Sequence, residues 1–210
     1  MKFLNFDKIL VLAPHPDDAE YSISGTILKY KDTHFDILCL TDGGDCDITT
    51  VKNERQSEII NSWNVSNPPN ITLFFTPNVY LKEKSEEEWI QYIETIHDIS
   101  SYNCILSPSE LDSHFEHRII SGFTSPIVRS HSCGIIQYKS PSTLDFWTPN
   151  LFVSIDSQYE LKMQMLLEFK SQLHRPYFKR KVLDGFHTHF QCMKKGMNFI
   201  ESYKILTAYE

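Results

Sequence analysis

The stretch Lys8-Ile9-Leu10-Val11-Leu12-Ala13-Pro14-His15-Pro16-Asp17-Asp18 decides how this chain folds. From Lys8 to Ala13 it is an apolar run of strand length that halts at Pro14, the pattern of a central parallel strand buried on both faces. Beyond the turn, Ile23, Ile27 and Tyr30 recur at helical spacing, which predicts a helix over Ala19 to Tyr30. A second strand reads from Phe35 to Leu40 and ends in the polar loop Thr41-Asp42-Gly43-Gly44-Asp45.

The alternation continues with a helix near Lys52 to Trp63, a strand at Ile71 to Phe75 and a helix from about Ser85 to Ile99. Asn103 to Leu106 is a short strand running into Ser107-Pro108, followed by a helix over His114 to Val128. Candidate strands follow at Gly134 to Tyr138 and Leu151 to Ile155, with helices at Gln158 to Lys170 and Phe190 to Tyr203. Strands and helices in alternation with short connections predict an α/β domain: a Rossmann-like three-layer fold whose mostly parallel central sheet is flanked by helices. At 210 residues, one domain over 1–210 is expected.

Composition narrows the function class. With 41% hydrophobic and 22% charged residues the chain reads as soluble and globular, and no window reaches the roughly 18 continuous apolar residues of a membrane helix. No membrane insertion is expected. A formal net charge of −7 argues against a nucleic-acid partner, which needs a basic stripe to displace counterions. Lys179-Arg180-Lys181 and Lys194-Lys195 read as solvated surface. Asp7 and Lys8 interrupt the apolar start before a signal core forms, and five scattered cysteines without a C-x-x-C pair suit a reducing compartment, so a cytoplasmic location is expected. Homo-oligomerisation stays open.

Chemistry in such sheets collects where strands end. His15, Asp17 and Asp18 sit where the first strand stops, and imidazole and carboxylate are ligands for a catalytic divalent metal, which takes three protein ligands and leaves a position open. Adjacent carboxylates after a proline can point apart, so that one binds metal while the other faces water. The competing reading is a turn and helix N-cap. A second cluster, Asp112, His114, Glu116 and His117, lies just beyond the fourth strand, with His114 and His117 one helical turn apart. Two such clusters at strand ends of one sheet favour a site.

These residues carry a resemblance. Pro14-His15-Pro16-Asp17-Asp18-Ala19-Glu20 followed by Gly25-Thr26-Ile27, and Asp112-Ser113-His114-Phe115-Glu116-His117-Arg118, resemble the two signatures of the PIG-L/LmbE-like zinc-dependent N-acetyl sugar deacetylases. Arg55 and Glu58 resemble that family's Arg-x-x-Glu, and Pro149 to Val153 with Lys170-Ser171-Gln172 resemble its later segment. The resemblance covers most of residues 8 to 175. It implies that His15, Asp18 and His117 hold Zn2+, other divalent metals remaining open. Asp17 would be the general base for a metal-activated water, His114 in its protonated form would stabilise the oxyanion, and Arg55 would contact the sugar or its substituent. The implied activity is hydrolysis of the amide of a small N-acylated, in particular N-acetylated, amino sugar or conjugate. The alternatives are a metal-dependent amidohydrolase on a non-sugar substrate and a non-catalytic Rossmann-like binding module, although no G-x-G-x-x-G follows the first strand.

Two departures stand out. Where the family has H-P-D-H, with the Asp orienting the first His, this chain has Phe115 and Glu116, so the orienting hydrogen bond is either altered or supplied by Asp112. The glycine-rich segment after the first motif is Ser22-Ile23-Ser24-Gly25, which would narrow the backbone's approach to a ligand. Among the other histidines, His187 and His189 would share one face of a strand, whereas His34, His97, His131 and His174 read as ordinary surface or core residues. Asp42 and Asp45 are either second-sphere contacts or turn formers. Specificity is expected in loops such as Asn78 to Ser85 and Pro141 to Asn150.

Overall fold

The structure is a computed structural model that describes residues 1–43, 54–78, 80–190 and 195–209. Strand β1 (Lys8–Ala13) is interior along nearly its whole length, and its alternate side chains enter two different cores. Ile9, Val11 and Ala13 join one apolar cluster, while Leu10 and Leu12 join another. That division follows from the two-residue period of a strand, which sends successive side chains to opposite faces.

On the first face lie helices α1 (Asp18–Lys29), α2 (Glu54–Ser66) and α5 (Tyr159–Leu166), contributing Ile23, Ile27, Ile59, Trp63 and Met163. On the second lie α3 (Glu86–Ile96) and α4 (Phe115–Val128), contributing Trp89, Ile93, Ile120 and Phe123. Three layers result, with helices on both sides of one sheet. None of the helices is long and apolar enough to cross a membrane, among the described residues.

The sheet has seven strands in the order β3 (Ile71–Phe75), β2 (His34–Cys39), β1, β4 (Cys104–Pro108), β5 (Gly134–Tyr138), β7 (Ile200–Thr207), β6 (Leu151–Ser154). The first five are parallel; β7 runs antiparallel to both of its neighbours. The chain steps outward from β1 to β3, then crosses back to place β4 on the other side of β1. Loops leaving β1 and β4 therefore diverge at a topological switch point, the place where such sheets open a crevice.

Two expectations fail towards the C-terminus and one within α1. No helix covers Phe190 to Tyr203: helix α6 (Arg180–Thr188) comes earlier, 191–194 lie outside the described residues, and Ile200–Thr207 is β7. Insertion between β5 and β6 gives this segment backbone partners on both sides, and that pairing overrides its local pattern. His187 and His189 accordingly share no strand face; His187 is buried in α6 and its Nδ1 bonds the carbonyl of Ile200 at 3.1 Å. Ser22 to Gly25 lies inside α1 facing the core. A Cβ on Gly25 would sit 2.7 Å from Ile155 Cγ2 and 2.8 Å from Glu201 Oε1, so this glycine permits helix packing rather than ligand approach.

Candidate metal centre

The turn after β1 is built for its side chains rather than for capping. Asp17 occupies the N-cap of α1 with φ 108°, a left-handed conformation, and its side chain makes no capping hydrogen bond. A capping residue ordinarily has extended backbone and accepts from the first turn. A non-glycine residue held in such a region costs about 1–3 kcal/mol, and such outliers cluster at functional sites. Asp18 follows as the first helical residue, its Oδ2 accepting from the His15 backbone N–H at 2.9 Å.

From β4 the chain runs through Asp112 to His114, the N-cap of α4, and on to His117 one turn later. The switch point brings this segment against the β1 turn. His15 Nδ1 lies 3.0 Å from Asp18 Oδ2, and His117 Nε2 lies 3.4 Å from Asp18 Oδ1. Asp18 thus reaches the two imidazoles through separate oxygens, Oδ2 towards His15 and Oδ1 towards His117. His15, His114 and His117 also offer nitrogens within 4.8 Å of one another, making a three-histidine group that overlaps the first set.

Each imidazole facing Asp18 has a carboxylate behind it. His15 Nε2 donates to Glu116 Oε2 at 2.6 Å, and His117 Nδ1 donates to Asp112 Oδ2 at 3.1 Å. Such pairs fix ring orientation and raise ligand basicity. Glu116 is itself fixed by the Leu81 N–H at 2.9 Å, and Asp112 by the Ser140 hydroxyl at 2.5 Å. Of the two alternatives for the hydrogen bond that would orient His114, the altered one is seen. Glu116 reaches His15, Asp112 reaches the His117 ring, and Asp112 touches His114 only through its backbone N–H at 2.8 Å.

Electrostatics follow from this packing. Burial opposes the charge on Asp18, yet His117 and His15 hold it well below the usual carboxylate range. Burial likewise opposes His117, but Asp18 and Asp112 push it up to about 10. Asp112 is depressed to about 2, against its burial, by His117 and the serine hydroxyls. Asp17 and Asp18 line the cavity while Glu116 and Asp112 stand behind His15 and His117, so four carboxylates surround the histidine cluster, a field that attracts a cation. His114 behaves differently: burial, then His15 and His117, lower its pKa, which favours the neutral ring over the protonated form expected from sequence. Its Nδ1 is buried without a hydrogen-bond partner. Burial pushes Asp17 up to about 6, against the attraction of Arg55, a value near the operating range of a general base.

Arg55, expected as a sugar contact, is engaged within the protein. Its Nη1 donates to Gly43 O at 2.8 Å, and its Nη2 donates to Pro16 O at 2.5 Å and pairs with Asp17 Oδ2 at 3.0 Å. Glu58, one turn along α2, accepts from the backbone N–H and hydroxyl of Ser171, both at 2.7 Å. This docks the segment carrying Gln172, Arg175 and Tyr177 beside the histidine cluster.

The cluster opens into a cavity of about 610 Å³. Tyr80 and Lys82 from the first expected specificity loop, and Pro141 and Ser142 from the second, form parts of its wall. Sequence reasoning missed Tyr21, Arg175 and Tyr177, which also line it. The Tyr21 hydroxyl donates to the Tyr177 carbonyl at 3.0 Å, a contact across 156 positions that no local pattern signals. His34, His97, His131 and His174 do not line this cavity, and Asp45 lies outside the described residues.

A family model described as GlcNAc-PI de-N-acetylase (PIG-L) matches residues 10–128, more than half of the chain and both clusters. The chain belongs to the PIG-L family. Among solved structures, the PIG-L fold seen here is similar to N,N'-diacetylchitobiose deacetylase from Pyrococcus horikoshii, with TM-score 0.77, 20% identity and coverage of 97% of this chain and 85% of that one. It is similar to the zinc-inhibited form of teicoplanin deacetylase Orf2, with TM-score 0.75, 9% identity and coverage of 97% and 99%. GalB, the 4-carboxy-2-hydroxymuconate hydratase from Pseudomonas putida KT2440, is also similar, with TM-score 0.75, 13% identity and coverage of 100% and 98%. No curated protein matches the chain. At these identities the solved structures establish a shared fold, and a hydratase among them means that the fold alone does not name the PIG-L reaction.

Proposed function

We propose that the chain is a zinc-dependent N-deacetylase that removes an acyl group, acetyl in particular, from the nitrogen of an amino sugar or amino-sugar conjugate. The observation that carries this reading is the convergence of His15, Asp18 and His117, from two distant segments, beside an Asp17 that is held in a strained conformation. Family membership supports the substrate class. The donor set of two imidazoles and one carboxylate suits zinc, and His15, Asp18 and His117 would hold it. When bound, the ion supplies Lewis acidity, lowering the pKa of water to about 7 and polarising the acyl carbonyl.

The protein's own groups do the rest. Asp17 takes a proton from the attacking water as its oxygen adds to the acyl carbon, and returns that proton to the amine nitrogen as the C–N bond breaks. His114, as a neutral imidazole, donates its N–H to the carbonyl oxygen while negative charge develops there. Glu116 and Asp112 keep His15 and His117 in the tautomers that present Nδ1 and Nε2 to the ion. The wall formed by Tyr80, Lys82 and Tyr177 receives the sugar. A cytoplasmic setting belongs to this proposal, and the buried thiols of Cys39, Cys104 and Cys133 are compatible with it.

The test is amine release from a panel of N-acetylated amino sugars, their nucleotide and glycosidic conjugates, and simple amides, with and without chelator. Chelator-sensitive release from the sugars, restored by zinc, is expected. Release from simple amides alone would replace the substrate class. No release by fully metal-loaded protein would reject deacetylation in favour of a different addition of water or a binding role.

A further inference from the structure

We propose that Arg55 is a positioning residue that acts on the reaction through Asp17 and not by binding the sugar. This inference rests on the deacetylase reading. Three groups from two loops meet at the Arg55 guanidinium: the Pro16 carbonyl and the Asp17 carboxylate from the loop after β1, and the Gly43 carbonyl from the loop after β2. Arg55 itself comes from α2 and is only 6% exposed. Its two terminal nitrogens are committed to these groups and its Nε is buried, leaving little guanidinium surface for a ligand even though the residue borders the cavity.

The seat for this guanidinium depends on a bare backbone. Gly43 has φ +81°, and a Cβ there would lie 2.0 Å from Arg55 Nη1 and 2.6 Å from Arg55 Cζ. Any other residue would displace the side chain as well as strain the loop. Arg55 thereby pins the carbonyl of Pro16 on one side of Asp17 and the carboxylate of Asp17 itself. Asp17 has a left-handed backbone and no capping bond to hold its side chain, so this clamp fixes where its carboxylate points. A planar fork can hold carbonyl and carboxylate together; a lysine ammonium is a single point charge and cannot reproduce that geometry.

A positioning residue changes turnover more than binding. Arg55→Ala and Arg55→Lys are compared with wild type, all metal-loaded, on the best N-acetylated sugar of the panel. Displacing a reacting group by ~1 Å costs on the order of 100-fold, so a kcat loss of about that size is expected with KM changed by less than about threefold. Metal content should stay unchanged, and added guanidinium ion should restore at least about tenfold of the lost kcat to Arg55→Ala. A crystal structure of Arg55→Lys, which keeps charge and bulk, should show the Asp17 carboxylate turned away from its wild-type direction. A raised KM with kcat retained would make Arg55 a substrate contact and overturn the inference. Loss of metal together with activity, without rescue, would reduce Arg55 to general scaffolding and overturn it too. Absence of turnover by the metal-loaded wild type would instead sink the deacetylase reading, and the inference with it.

Discussion

Replacing Glu116 by glutamine tests whether the proposed metal centre is organised as its geometry implies. Glu116 uses both oxygens: Oε2 accepts from His15 Nε2 at 2.6 Å and Oε1 from the Leu81 N–H at 2.9 Å. A carboxamide of the same shape keeps one acceptor and turns the other end into a donor. Either His15 or Leu81 then faces an NH2 group, leaving a buried N–H unsatisfied at about 1–3 kcal/mol. The charge that makes His15 Nδ1 a better ligand is lost as well. Outer-sphere partners of this kind are worth about 10- to 100-fold in metal affinity, or roughly 1.4–2.7 kcal/mol. Zinc titration of metal-free protein against a chromophoric chelator should show a weakening of that size for Glu116→Gln. Glu116→Asp keeps the charge but is one methylene too short to serve both donors, so an intermediate loss is expected. An affinity for Glu116→Gln within about twofold of wild type would refute the claim that Glu116 acts through His15.

Other consequences can be measured directly. Asp17→Asn should lower kcat by about 10²–10⁴-fold while metal content, read by atomic emission, is largely spared; near-normal turnover would remove Asp17 as the base. Lys162 and Glu201 form an ion pair at 2.6 Å with both side chains fully buried, and Glu201 also accepts from the N–H groups of Gly25 and Thr26 at 2.8 and 2.7 Å. Glu201→Gln strands the ammonium, so urea unfolding should show a loss of about 3–5 kcal/mol, partly recovered by adding Lys162→Met; a loss under about 1 kcal/mol would contradict that account. Burial, helped by the charge of Lys162, holds His187 well below the usual imidazole pKa. The unfolded chain therefore binds a proton there below about pH 6.5 that the folded chain refuses, so stability falls as pH drops, by up to about 1.4 kcal/mol per unit. In His187→Asn the slope of unfolding free energy between about pH 5 and 6.5 should flatten accordingly; an unchanged slope would show that His187 titrates normally.

The parallel half of the fold was legible because its signals are local. β1, β3 and β5 lie where their apolar runs stop and start, and the helices between them follow the spacing of residues such as Ile23 and Ile27. β7 was not legible, since Ile200 to Thr207 is a strand only by virtue of its partners, Gly134 to Tyr138 on one side and Leu151 to Ser154 on the other. The same division runs through the site. His15, Asp17, Asp18, His114 and His117 could be picked out by type and spacing, because ligand chemistry belongs to the side chain itself.

What those residues face could not be read off. The role of Glu116 was open from sequence, and its partner is His15, 101 positions away. Arg55, expected to contact the substrate, borders the cavity and is bonded to Pro16, Asp17 and Gly43, partners that its place in the sequence does not signal. Tyr177 carried no signal at all, yet it lines the cavity. Residue type and local periodicity determined the layers, the strand ends and the inventory of candidate metal-binding groups. Only the tertiary structure decided the pairings, because hydrogen bonds and charges act across space within a few ångströms, and the crossover from β3 to β4 brings together segments that the chain keeps far apart.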